Sequence, residues 1–176
     1  MASAETLARA GRVRLMIFDV DGVLTDGTLY YSASGEELKA FNIRDGQGMK
    51  MLAGTGVRLA IVSGRRSAAL ARRAADLGVD LLYQGIEDKL AAFDELTARL
   101  ALAPEACGFL GDDLIDLPVL ARCGFAAAVA DAAPEIRARA HYVTAAPGGR
   151  GAARETCELV MRAQGTLAGA LARYLA

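Results

Sequence analysis

Residues 14–31 read RLMIFDVDGVLTDGTLYY. Leu15, Met16, Ile17 and Phe18 make a short apolar run without a polar break, the pattern of a strand buried on both faces. The run stops at Asp19, and Asp21 follows two residues later, with Gly22, Thr25, Asp26 and Gly27 close behind. Charge is costly beside a core. Two carboxylates at the end of a buried strand therefore point to a task that needs them.

The rest of the chain repeats the rhythm that this stretch begins. Apolar runs at 58–62, 80–83, 108–110, 126–129 and 141–143 are expected to be further strands, with 14–18 as the first. Amphipathic segments lie between them. Ser67 caps an expected helix over 68–77 that Gly78 closes. Asp88 caps another over 89–100, where Leu90, Phe93, Leu96 and Leu100 recur at helical spacing. A third runs from Asp116 and Pro118 to Cys123, closed by Gly124, and a last one starts at Ala153. Another is expected to begin near Asp45 or Gly46. Strand and helix in alternation predict an α/β fold, a Rossmann-like parallel sheet with helices on both faces.

One segment breaks the alternation. Residues 28–41 have β-prone ends around the polar centre SASGEE and read as a small β-hairpin insertion. No linker or internal repeat divides the chain, so residues 1–176 are expected to form a single domain. The Gly-rich stretch APGGRGAARE at 146–155 is left over by this pattern.

Composition narrows the classes of function. Twenty basic and 21 acidic residues nearly cancel, which argues against a nucleic-acid binder working by bulk charge. No apolar run is long enough to span a membrane, and the start MASAETLARAGRVR lacks the apolar region of a secretory signal. Cys107, Cys123 and Cys157 are widely spaced and form no CxxC pair, so reduced thiols in a cytoplasmic protein are expected. The single His141 has no second histidine with which to build a metal site and reads as structural.

In parallel α/β sheets, ligands bind beyond the carboxyl ends of the strands. Asp19 and Asp21, then Ser63, then Asp112 and Asp113 all stand at such ends, and Lys89 opens a helix after another. Clustered carboxylates need a positive partner. An all-oxygen donor set favours a hard cation, Mg²⁺ before others. Metal, Lys89 and the Ser63 hydroxyl together suit a phosphoryl group. A carboxylate can itself attack phosphorus. Asp19 is then the nucleophile, and Asp21 gives a proton to the leaving oxygen and takes one from the water that follows.

The stretches DVDGVLTDG (19–27), SGR (63–65), Lys89 and GDDLIDLP (111–118) together resemble the four motifs of the haloacid dehalogenase superfamily of phosphohydrolases. The resemblance runs through nearly the whole chain. It implies that Asp19, Asp112 and the backbone carbonyl of Asp21 hold Mg²⁺, that Asp113 and Asp116 orient those ligands, and that Ser63 and Lys89 hold the phosphoryl group. Asn42, Arg44, Asp45, Gly46, Arg65 and Arg73 match positions near the substrate in similar enzymes; for Arg73 a plain surface arginine is the alternative. Thr25 stands where relatives often carry serine, and keeps the hydroxyl.

The resemblance also implies an assembly. No insertion is long enough for the large cap domain of most relatives. Uncapped members are similar in being homo-tetramers whose hairpins meet, with a C-terminal tail, here from about 147, reaching a neighbour's site. The glycines of that stretch let it fold closely over a ligand, so Arg150 is expected to meet a neighbour's substrate; a loop that merely joins the last strand to the last helix is the alternative. GEELKAFNIRDGQG (35–48) and GGRGAARE (148–155) narrow the likeness to phosphatases of a small phosphorylated sugar acid, an eight-carbon keto acid before a nine-carbon one. The nine-carbon substrate stays open. So does a non-catalytic oligomerisation module of the kind that follows some sugar-activating transferases. No nucleic acid and no membrane is expected as partner.

Overall fold

The structure, a computed structural model, describes residues 2–33 and 37–175. Its centre is β1 (Leu15–Phe18), buried at every position. β1 pairs in parallel with β4 (Arg58–Ser63) on one side and β6 (Cys107–Gly111) on the other, so that Phe18 faces both Ile61 and Leu110. β5 (Leu81–Gln84) extends the sheet beyond β4, and β7 (Phe125–Ala128) and β8 (Tyr142–Val143) extend it beyond β6. The order β5-β4-β1-β6-β7-β8 reverses direction at β1. That reversal opens a crevice beyond the carboxyl ends of β1, β4 and β6, where connections leave in opposite directions.

Helices cover the sheet in two packed groups. α1 (Ala4–Ala10) and α2 (Ile43–Ala53) pack on α7 (Ala152–Ala163). α4 (Lys89–Leu100) packs on α5 (Leu117–Arg122), and α5 on α6 (Pro134–Arg139). Crossovers between parallel strands are as a rule right-handed, and when they run in both directions from one strand that rule puts the two groups on opposite faces. α3 (Ala68–Leu77) and α8 (Leu167–Ala172) complete the set. The expected caps are present. The Ser67 side chain accepts from Leu70 N–H, and Asp88 from Ala91 N–H. Gly78 ends α3 with φ +70°, where a side chain would be strained.

The hairpin is real but short. β2 (Tyr30–Tyr31) pairs antiparallel with β3 (Glu37–Leu38), and the SASGEE turn lies partly outside the described residues. Other expectations are corrected. α2 starts at Ile43, because the Asn42 side chain accepts from Arg44 and Asp45 N–H and caps it earlier than expected. α1 and α6 were not anticipated; each offers few buried residues, so neither shows a strong period. Residues from 147 onward are no tail. They form a turn and then α7, whose Ala153, Cys157 and Val160 lie in the core, followed by α8. His141 is structural as read: its Nδ1 accepts the Ala126 N–H. The thiols of Cys107, Cys123 and Cys157 are buried and raised in pKa by that burial.

Candidate active site

Asp19 is the first residue beyond β1 and is fixed there by its own N–H, which donates to Leu110 O at 3.0 Å. The chain then turns tightly. Val23, Leu24 and Thr25 all donate backbone N–H groups to Val20 O, at 3.2, 2.9 and 3.0 Å. The Thr25 hydroxyl adds a bond to the same oxygen and accepts from Gly27 N–H. Gly22, at φ +87°, sits so close to Asp112 that a Cβ there would lie 2.0 Å from Asp112 Oδ2. The loop carrying Asp19 and Asp21 is thereby pressed against the loop carrying Asp112.

Lys89, the first residue of α4, reaches across the crevice. Its Nζ lies 2.8 Å from Asp19 Oδ1 and 2.6 Å from Asp116 Oδ1, and all three side chains are buried. Asp116 spends its other oxygen on the backbone, accepting from Asp112 N–H at 3.0 Å and Asp113 N–H at 3.4 Å. Asp113, exposed, accepts from Leu114 N–H and caps the short 3-10 turn Leu114–Asp116. The Ser63 hydroxyl, buried at the end of β4, accepts from Arg65 N–H.

Burial raises Asp19 to about 6, with the charge of Asp116 adding to it and Lys89 opposing. Asp112 is raised to about 8 by burial first, then by Asp19 and Asp116. Burial alone would depress Lys89, but Asp19 and Asp116 outweigh it and hold its pKa above the ordinary lysine value. Asp112 Oδ1 is buried and has no hydrogen-bond partner. An orphaned carboxylate oxygen amid excess negative charge is the place for a hard cation, and the all-oxygen donors suit Mg²⁺. Asp19, Asp112 and Asp116 each offer an oxygen within 4.8 Å of the others. Both Asp116 oxygens are already engaged, so Asp19 and Asp112 are the carboxylates that fit a metal.

The expected substrate residues divide. Arg44 is exposed, and Arg65 Nη2 donates to Tyr31 Oη at 2.7 Å, tying the second strand-end loop to the hairpin. Arg73 donates to Asn42 O at 3.1 Å and stacks over Phe41, bracing the start of α2. Asp45 has a structural partner: its buried carboxylate accepts Gly151 N–H at 3.1 Å and Arg154 N–H at 2.8 Å, capping α7 where Gly151 provides no side chain. Gly46 packs so tightly on Arg73 that a Cβ would lie 2.2 Å from its Nη2. Arg150 lies 3.7 Å from Asp26 of its own chain, and Gly149 N–H donates to Val23 O at 2.8 Å. The GGRG stretch thus backs its own Asp19–Gly27 loop. One contact was not anticipated: Lys39, from the hairpin, pairs with Asp21.

A model of the haloacid dehalogenase-like hydrolases matches residues 80–154. The 3-deoxy-D-manno-octulosonate 8-phosphate phosphatase of Yersinia pestis is 51% identical over 166 residues, covering 94% of this chain and 89% of the relative. The chain belongs to this phosphatase family of haloacid dehalogenase-like hydrolases. Solved phosphatases share its fold closely. A probable YrbI-family phosphatase from Pseudomonas syringae superposes with a TM-score of 0.97 at 52% identity, covering 99% of both chains. The 3-deoxy-D-manno-octulosonate 8-phosphate phosphatase of Moraxella catarrhalis, in complex with magnesium, phosphate and KDO, gives 0.95 at 40% identity, covering 97% of this chain and 98% of that one. Among the described residues no helix is long and apolar enough to cross a membrane.

Proposed function

We propose that this phosphatase hydrolyses 3-deoxy-D-manno-octulosonate 8-phosphate to the free sugar acid and phosphate, in lipopolysaccharide biosynthesis in the cytoplasm. The observation that carries the reading is the buried Asp19–Lys89–Asp116 cluster at the sheet's switch point, with the orphaned Asp112 oxygen beside it. Its likeness to the Yersinia and Moraxella phosphatases supports the substrate.

Asp19 attacks phosphorus. The bond from phosphorus to the sugar oxygen breaks, an aspartyl phosphate forms, and the departing oxygen takes the Asp21 proton. Water then adds to phosphorus and gives a proton to Asp21, and the Asp19 carboxylate is released. Lys89 fixes Asp19 while balancing its charge, and Ser63 donates to a phosphoryl oxygen. Asp113 and Asp116 hold the Asp112 loop in shape. Asp19, Asp112 and the backbone carbonyl of Asp21 would hold Mg²⁺, which keeps both carboxylates ionised and offsets phosphoryl charge. Arg44, exposed at the start of α2, and Arg65, two residues beyond Ser63, are our candidates for the sugar acid's carboxylate.

We further propose a homo-tetramer joined through the hairpins. Tyr30, Tyr31, Leu38 and Ile43 leave large apolar groups exposed on and beside a hairpin too small to be stable alone. Sedimentation should show one species of four chains; a monomer that is fully active removes this part. The function is tested by phosphate release from eight-carbon and nine-carbon keto-acid phosphates with Mg²⁺, in the native protein and in Asp19→Asn. Preference for the eight-carbon substrate by kcat/KM, with turnover lost in Asp19→Asn, is the expected result. Preference for the nine-carbon substrate, or an active Asp19→Asn, would overturn it.

A further inference from the structure

Lys39 lies one residue beyond β3, in a hairpin whose neighbouring side chains are open to solvent: Leu38 is 69% exposed. Yet the Lys39 side chain is only 1% exposed. Lysine is almost never buried unless paired. Its ammonium meets Asp21 Oδ1, 18 residues earlier in the chain. Among the described residues Lys39 is the hydrogen-bond partner of the Asp21 carboxylate, which is itself a quarter exposed (25%). Asp19 has a rigid scaffold: strand, backbone bond and Lys89. Asp21 has the loop backbone for its main chain and Lys39 for its side chain.

We propose that Lys39 is a positioning residue for the phosphatase reaction: from the hairpin, it holds the Asp21 carboxylate where proton transfer to and from the reacting oxygens takes place. The proposal rests on the assignment of Asp21 as the acid–base group. An aspartate with no partner samples several staggered side-chain conformers, and only some direct its oxygen at the leaving group. The ion pair selects among them before substrate arrives, which is where orientation gains its rate advantage. The same contact anchors the hairpin to the site by its one buried cation. Placement of the hairpin and aim of Asp21 therefore become a single variable. A lysine serving only to fasten the hairpin would have no reason to act through Asp21, and the two roles separate in kinetics.

The experiment compares the full-length Mg²⁺-loaded enzyme with Lys39→Met, Asp21→Asn, the double variant and Lys39→Arg, using 3-deoxy-D-manno-octulosonate 8-phosphate. Lys39→Met should lower kcat about 10- to 100-fold, the scale expected for a misplaced reacting group, with KM changed by less than about twofold. The double variant should be no slower than Asp21→Asn, because Lys39 has nothing left to position. Lys39→Arg, which keeps the ion pair, should recover most of the rate. Thermal unfolding reports whether each variant is folded at the assay temperature, and Lys39→Gln replaces Lys39→Met if that protein is not. An unchanged kcat in folded Lys39→Met, a rise in KM alone, or losses that multiply in the double variant would each overturn the proposal. Full activity in Asp21→Asn would instead remove the acid–base assignment, and with it the basis for a role of Lys39 through Asp21.

Discussion

Two lysines bring an ammonium to the loop between Asp19 and Asp21, from opposite kinds of scaffold. Lys89 stands on the first turn of a twelve-residue helix and lies between two buried carboxylates. Lys39 stands beside a strand of two residues and meets one carboxylate that is partly open to solvent. The first cluster is part of the core; removing a member leaves charge that water cannot reach. The second is a contact between a small insertion and the core, and its loss can be absorbed by solvent. Asp19 is thereby held rigidly by the core, while the Asp21 side chain is tied to a small insertion.

Lys89→Met tests the rigid side. It leaves Asp19 and Asp116 buried without a cation, and breaking such a cluster costs about 3–5 kcal/mol. Urea unfolding should show a loss of that order, and activity should vanish. A drop below about 1 kcal/mol would make the two lysines equivalent and dissolve the contrast.

Asp112→Asn sharpens it from the metal side. Its orphaned oxygen and the repulsion from Asp19 and Asp116 work against the metal-free fold. In EDTA near pH 8 the variant should be more stable than the native protein, because it removes the charge that burial, Asp19 and Asp116 oppose, while its response to Mg²⁺ weakens steeply. The native protein should also show a pH signature in EDTA. Asp19 and Asp112 are raised from 3.8 to about 6 and about 8 in the fold, so the native state binds more protons than the unfolded one between those values. Metal-free stability should therefore fall as pH rises from about 4 to 8, and Asp112→Asn should lose the upper part of that slope. Melting curves across this range decide the matter; a rising Tm contradicts the assignment.

Asp45→Ala separates structure from catalysis. It deprives α7 of its borrowed cap, for about 1–2 kcal/mol measured by denaturant unfolding, with kcat per folded molecule within about threefold of native. A large loss of kcat in a stable Asp45→Ala protein would return Asp45 to the substrate site. The smallest effect belongs to the soft side: Lys39→Met should lower the unfolding free energy far less than Lys89→Met, because it leaves behind only Asp21, a quarter exposed and open to solvation, whatever it does to turnover.

The parts of the site that could be read from residues alone share one property. Asp19, Ser63, Lys89 and Asp112 sit at the ends of strands or the start of a helix that hydrophobic periodicity already locates. Once the sheet is parallel, those ends converge. For Asp45 and Arg73, expected near the substrate, the residues alone did not reveal their partners within the chain, because those partners are set by packing. Asp45 caps a helix 106 to 109 residues away, and Arg73 reaches Asn42 31 residues back. Lys39 was overlooked for the same reason: nothing local to GEELKAF says that one lysine of a solvent-facing hairpin turns inward.

Sequence alone determined which segments are buried, that the sheet is parallel, and which carboxylates, hydroxyl and lysine gather at its switch point. Periodicity and strand-end placement carry that information along the chain. Only the tertiary structure decided which of those groups already have partners. It engaged both oxygens of Asp116, left one oxygen of Asp112 without a bond, turned Asp45 away to α7, and joined Lys39 to Asp21. A side chain's role follows from what faces it, and the facing group comes from packing between distant segments.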